Sequence, residues 1–282
     1  MSSPAVQSIL VLLGGDVRGN PAQFMMERLF AHHDLDWRYV TVEVEPDALA
    51  DAVRGVRAMG FHGAHIGAPY SSSIGPLVDA LGDVAQRCGR VNLLRREDRR
   101  LVGENTEGRA IVSALTRLVE LAGRSCVLLG AGGPATAAAL ELAAAGAAQI
   151  AVIDRDESAA RQLASLLAGL GSVAATAIGW SEPVEPPAET DLILRVGPVP
   201  PSPRGGETPL KPGALRPEMI VADVSLDPPA SPLIEQAREA TCRVLDGLEI
   251  LVEQMAVDYQ LWTGRQSDRD VLREAAEEFF GF

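Results

Sequence analysis

Apolar and polar positions alternate along this chain in two long runs of strand and helix. Residues 7–13 are apolar, stop at Gly14-Gly15 and predict a first strand. A polar loop over 16–20 leads to Pro21 and a helix to about residue 33. Residues 37–44, rich in β-branched side chains, predict a second strand. Pro46-Asp47 opens a helix with Leu49, Val53 and Val56 at helical spacing. Residues 60–66 predict a third strand, 67–73 a loop and 74–88 a helix. The second run has a helix over 109–122, a strand at 126–129, a helix at 135–145 and a strand at 149–153. A helix at 156–168, strands at 173–177, 191–196 and 219–224 and a helix at 230–240 follow, and helices at 248–262 and 268–279 end the pattern. Two α/β units are the expected architecture. Residues 183–217 hold 10 of the 19 prolines, so only 191–196 is expected to pair in a sheet there, with 197–206 mobile or irregular.

The most informative stretch is 125–156. The strand at 126–129 runs into Gly130-Ala131-Gly132-Gly133-Pro134-Ala135, a G-x-G-x-x-A turn that opens a helix. A second strand ends at Asp154, about 20 residues on, which completes the dinucleotide-binding pattern. Gly130 permits the tight turn, Gly132 and Gly133 let backbone approach a pyrophosphate, and Ala135 allows close helix–strand packing. The helix N-terminus offers unpaired N–H groups and a positive dipole end to the phosphates. Asp154 is placed to accept from a ribose 2′-hydroxyl, with Arg155 beside it for adenine or phosphate. The cofactor expected is therefore NAD or NADP, with NAD preferred.

Composition narrows the function classes. A formal net charge of -13 argues against nucleic acid or an anionic membrane as the main partner. The three cysteines, Cys88, Cys126 and Cys242, are dispersed and read as buried thiols of a reducing cytoplasm. No secretory leader pattern and no bilayer-length apolar run is present, and the four histidines lack ligand spacing, so no metal is expected. The expected partner is a small-molecule substrate, with a homodimer as the candidate assembly.

Three segments carry a family resemblance: Gly103-Glu104-Asn105-Thr106-Glu107-Gly108, the turn at 130–135, and the tail Gly247-Leu248-Glu249-Ile250-Leu251-Val252-Glu253-Gln254 with Leu261-Trp262-Thr263-Gly264. On these the chain resembles the shikimate dehydrogenase family, quinate-using relatives included. The resemblance implies an α/β substrate domain over 1–106 and 245–282, whose C-terminal helices return to it, and a Rossmann-type domain over 107–244. It implies NAD(P)-dependent interconversion of 3-dehydroshikimate and shikimate, or of a related hydroxy acid, in a cleft between the domains. The family pairs a lysine from N-V-T-x-P-x-K with the aspartate of N-T-D-G; here those positions are Ser71 and Glu107, with His65 and Gly67 at the asparagine and threonine. The hydroxyl loop S-x-S-P is Arg18-Gly19-Asn20-Pro21, the tyrosine of D-x-x-Y-x-P is Leu226, and N-A-T-P-x-G begins at Arg195. Asn92, Asn105 and Gln254 keep the family's residue types. Two expectations follow. One is a dehydrogenase with a rebuilt site and weak or altered activity, in which Glu107, Ser71 and His65 are the catalytic candidates and Arg18, Asn20, Asn92, Asn105 and Gln254 the substrate contacts. The other is a non-catalytic relative that binds a nucleotide, a small ligand or a protein.

Overall fold

The computed structural model describes residues 7–180, 183–197, 210–211, 213–226 and 231–281. The chain divides into two compact units, residues 1–107 with 252–282, and residues 108–251.

The first unit contains β1 (Ser8–Gly14), α1 (Ala22–His32), β2 (Trp37–Glu43), α2 (Leu49–Ala58), β3 (Gly63–Ile66), β4 (Ala80–Leu81), α3 (Asp83–Cys88), β5 (Leu93–Glu97) and β6 (Arg100–Glu104). Its strands form one sheet in the order β2-β1-β3-β5-β6-β4. β1 pairs in parallel with β2 and β3, and both of its faces are covered, so it reads as an unbroken apolar run. Val11 and Leu13 pack against Val53 and Val56 of α2. The helix expected over 74–88 is reduced to α3, because Pro76 and Gly82 interrupt it and Ala80–Leu81 pairs instead with β6. The antiparallel hairpin of β5 and β6 is a further addition. Its charged Arg95, Arg96 and Glu97 hide the apolar signal that marks the other strands.

α4 (Glu107–Thr116) is followed by β7 (Ser125–Leu129), α5 (Gly133–Ala144), β8 (Gln149–Asp154), α6 (Glu157–Ala168), β9 (Ala174–Gly179), β10 (Leu192–Arg195), β11 (Ile220–Asp223), α7 (Pro232–Glu239) and β12 (Arg243–Leu245). The six strands form an entirely parallel sheet in the order β12-β11-β10-β7-β8-β9. Strand order reverses between β7 and β10, the topological switch point of a doubly wound sheet. α4 stops earlier than the expected residue 122, where the Thr116 hydroxyl bonds back to the Ser113 carbonyl. Gly108 has no room for a side chain: a Cβ there would meet the Ala137 backbone of α5.

Within the proline-rich stretch, Val184 pairs with Leu210, and Leu210 is buried. The stretch thus carries pairing outside 191–196, and its donor is the Lys211 N–H, not a proline. The expectation for 197–206 falls, apart from Gly197, outside the described residues.

α8 (Gly247–Thr263) and α9 (Arg269–Phe280) close the element order. In the first unit α9 lies against α1, tied by Arg28 to Glu278 at 2.7 Å, and Trp262 donates to the Leu94 carbonyl of β5 at 2.9 Å. Among the described residues, no helix is long and apolar enough to cross a membrane and no group of side chains could hold a metal ion.

Candidate active site

In the first unit a cluster of polar side chains collects where β3, the loop before β5, the end of β6 and α8 meet. Its hub is Thr106, which is fully buried. The Thr106 hydroxyl donates to Asp258 Oδ1 at 2.6 Å and accepts from Asn92 Nδ2 at 2.9 Å and Gln254 Nε2 at 2.7 Å. One donor and two lone pairs are thereby used up. The Thr106 N–H is taken by Asn92 Oδ1 at 2.8 Å. Gln254 also donates to Asp258 Oδ2 at 2.8 Å, so both of its amide hydrogens face inward. Its carbonyl oxygen is left as the group it can present to a ligand.

Asp258 is completely buried. His65 Nε2 lies 2.8 Å from Asp258 Oδ2, and His65 Nδ1 lies 2.6 Å from the Tyr39 hydroxyl. The neutral imidazole satisfies all three groups, with Nε2–H donating to Asp258 and Nδ1 accepting from Tyr39. Burial, and next the Asp258 charge, push the Tyr39 hydroxyl well above the usual tyrosine range, so it stays a donor. His65 was expected among the catalytic candidates; here both of its ring nitrogens are engaged, by Asp258 and Tyr39.

Glu107 opens α4, and Asn105 Oδ1 accepts its N–H at 3.2 Å. The Asn105 amide donates to Glu107 Oε2 at 3.3 Å and to the Arg90 carbonyl at 3.4 Å. Burial raises the Glu107 carboxyl above the ordinary value of 4.5 and the Asp258 charge adds to it, while Asn105 and Arg90 pull the other way. Ser71 is buried in the short turn after β3, and its carbonyl accepts the Val91 N–H at 2.7 Å. It brings a hydroxyl and no charge.

Two expected substrate contacts do not join this cluster. Arg18 is exposed and pairs with Asp16 at 3.2 Å and Glu43 at 3.5 Å. The Asn20 side chain accepts the Ala22 N–H at 2.9 Å, as a helix-start residue does. Sequence reasoning missed Asp258, Tyr39, Thr106 and Arg90. Thr106 stood within the motif at 103–108 without being singled out, and Asp258 left a trace four residues beyond Gln254, on the same face of α8.

In the second unit the glycine turn lies at the switch point. Gly130 has φ +121°, and a Cβ there would meet the Val196 carbonyl; Gly132 stands open, with nothing nearer to its would-be Cβ than Pro134 at 4.0 Å. Gly132 and Gly133 lead into α5, whose first turn holds Pro134. A backbone shaped in this way, at a helix N-terminus beyond the strand ends, fits a dinucleotide pyrophosphate. Asp154 holds the turn, accepting the Ala131 N–H at 2.8 Å on one oxygen and the Asp156 N–H at 2.8 Å on the other. Each oxygen keeps a lone pair for a ribose hydroxyl. The Arg155 guanidinium lies over the Trp180 ring, 4.5 Å from its centre. Arg195 ends β10 as a buried ion pair with Asp223 at 2.6 Å and donates to Ser225 at 3.0 Å. Burial and the Asp191 charge push the Cys126 thiol up to about 12, which leaves it inert; Cys242 is buried and Cys88 half-buried, and all three are free.

A unit with a switch-point sheet and a glycine turn, and another unit that carries a buried polar cluster, define a two-domain α/β protein with a dinucleotide-binding domain. Residues 12–94 match the family model for the shikimate dehydrogenase substrate binding domain. The NADP(+) shikimate dehydrogenase of Moorella thermoacetica is 35% identical over 98% of this chain and 95% of its own. Among solved structures, the 5-ketofructose reductase of Gluconobacter sp. strain CHM43 has a TM-score of 0.92 at 32% identity, covering 98% of this chain and 100% of that one. The shikimate 5-dehydrogenase of Listeria monocytogenes, solved with shikimate and NAD, has a TM-score of 0.87 at 27% identity over 97% and 98%. The chain belongs to the shikimate dehydrogenase family.

Proposed function

We propose that this chain is an NAD(P)-dependent oxidoreductase that interconverts a secondary alcohol and a ketone on a small polyhydroxylated substrate, with Glu107 as the proton-transfer group. The observation that carries this reading is the Glu107 carboxyl, held by Asn105 at the edge of the polar cluster and raised by burial toward the range useful to a general acid–base. When bound, the dinucleotide supplies or accepts the hydride. In the oxidation direction the substrate carbon loses a hydride, the hydroxyl proton passes to the Glu107 carboxylate, and the ketone forms; reduction returns the same proton. Asn92, Asn105 and the Gln254 carbonyl supply donors and acceptors for the remaining hydroxyls, and Ser71 adds a neutral one. A lysine at position 71 would have offered both a proton and a positive charge to the reacting oxygen. Serine offers neither, which supports a rebuilt site with weak or altered activity on shikimate.

The substrate reading divides two ways. One relative is named for shikimate, and the other, a 32% identical structure with a TM-score of 0.92, is named for 5-ketofructose. The amide-rich cluster suits a keto polyol at least as well as a carboxylated ring, since Arg18 is engaged elsewhere. Purified protein assayed with shikimate, quinate and 5-ketofructose, each with NAD(H) and NADP(H), tests the reading, with Glu107→Gln alongside. Turnover lowered about 10²–10⁴-fold by Glu107→Gln supports it. Nucleotide binding with no turnover of any of the three would turn the reading toward a non-catalytic binder.

For the cofactor we infer a preference for NAD, on Asp154: its carboxylate stands where a 2′-phosphate would add negative charge. The relative named for NADP(+) and the Arg155–Trp180 stack pull the other way. Calorimetric titration is expected to give tighter binding of NAD, reversed toward NADP in Asp154→Ser; tighter NADP binding by the parent protein would overturn the preference.

A further inference from the structure

The hydrogen-bond directions around Gln254 follow from Asp258. Both Asp258 oxygens accept: Oδ1 takes the Thr106 hydroxyl at 2.6 Å, and Oδ2 takes His65 Nε2 and Gln254 Nε2, each at 2.8 Å. A carboxylate has no hydrogen to give, so each of these neighbours turns a donor towards it. The Thr106 oxygen then has only lone pairs left, which receive Asn92 at 2.9 Å and the second amide hydrogen of Gln254 at 2.7 Å. Of the three donors to Asp258, His65 and Thr106 are buried, whereas Gln254 is half-buried. Among the described residues, the buried side-chain atoms without a partner are His33 Nε2, Arg90 Nε, Arg195 Nε and the Tyr259 hydroxyl. Gln254 Oε1 is not one of them, and no described donor reaches it, so it is an acceptor open to solvent at the edge of the cluster.

We propose that Asp258 is a positioning residue that sets the specificity of this site: it holds the Gln254 amide with Nε2 inward and Oε1 towards the ligand, so that this position reads a hydroxyl that donates and turns away a group that can only accept. This rests on the polyhydroxylated substrate proposed above. The amide alone has no such preference. Its two ends are nearly equal in size, and the Thr106 hydroxyl can either donate to the oxygen or accept from the nitrogen. The carboxylate decides between them, because an amide oxygen turned towards Asp258 would leave two acceptors face to face in the interior. In that reversed orientation the ligand would meet an N–H, and the same position would favour a ketone oxygen or a carboxylate. Asp258 and Gln254 are four residues apart on α8, so one helix carries both the reader and the group that orients it.

The test has two arms. In the first, calorimetry compares whichever of shikimate, quinate and 5-ketofructose binds with its monodeoxyfluoro analogues, in each of which one hydroxyl donor becomes a fluorine that can only accept. In the parent protein the analogue altered at the hydroxyl read by Gln254 is expected to bind about 10–100-fold more weakly than the unmodified ligand. In Asp258→Asn either end of the new amide can face Gln254, so that ratio is expected to fall towards unity, while the ratios for the other analogues and the affinity for NAD stay at their parent values. A merely structural role for Asp258 would weaken all the ligands together and leave every ratio in place, which overturns the inference. The second arm uses the parent protein without ligand and stands even where Asp258→Asn does not fold. With ¹⁵N in the glutamine side chains, the Gln254 amide signals are assigned by their loss in Gln254→Met. Both protons are expected to exchange slowly with water and to show contacts to Thr106; exchange as fast as that of exposed glutamines overturns the inference. A panel in which nothing binds overturns the polyol reading and this inference together, whereas binding with unchanged ratios in Asp258→Asn overturns this inference alone.

Discussion

The role proposed for Glu107 asks a buried carboxyl to ionise, and that has a consequence for stability. Burial raises its carboxyl above the ordinary 4.5. A raised acid contributes stability below its unfolded pKa and loses it as pH rises through the folded one. Glu107→Gln escapes that loss. Its melting temperature is expected to exceed the parent's at about pH 8 and to converge with it below about pH 4, where both side chains are neutral. A variant that melts lower than the parent at pH 8 would contradict this. Asp258 is the opposite case, a buried carboxylate that receives three donors. Asp258→Asn turns one acceptor into a donor facing other donors, and a loss of about 1–3 kcal/mol in chemical denaturation is expected. At this scale the sequence pointed to Asn92, Asn105 and Gln254 by their match to family motifs and to Glu107 by its place at the motif's aspartate. It could not show what His65 does, because Tyr39 and Asp258 flank it only after folding.

Elements were more legible than residues where their patterns were regular. The strands β1, β7 and β8 and the helices α5 and α6 stand out as apolar or periodic runs between glycine and capping signals. The stretch 74–88 misled because its apolar residues fall at helical spacing, while Pro76 and Gly82 decide the outcome and a strand partner in β6 was invisible locally. Charge concealed the β5–β6 hairpin in the same way. An exacting contact between elements is α4 on α5 at Gly108. Gly108→Val drives a side chain into the Ala137 backbone and is expected to cost about 1–3 kcal/mol, read as an earlier denaturation midpoint at unchanged slope. The α6 cap is simpler. Asp156 accepts from the Ser158 and Ala159 N–H groups, and Asp156→Ala should lose about 1 kcal/mol with no change in nucleotide affinity.

At the scale of the whole molecule, the first unit is built from two separate stretches of chain, whereas residues 108–251 run without interruption. On the ribosome this sets an order of assembly. The parallel sheet and its glycine turn have all their residues available while the first unit still lacks α9 and most of α8. Gln254 and Asp258 have not yet been made, so Thr106 and His65 wait without the partners that orient them. A nascent chain halted after residue 251 is therefore expected to show protease-resistant nucleotide-domain fragments, while the region around residues 65 and 106 remains open to cleavage until synthesis passes Asp258. On the proposed function, proton handling waits for the late arrival of one helix, and the fold delays competence until α8 has been translated.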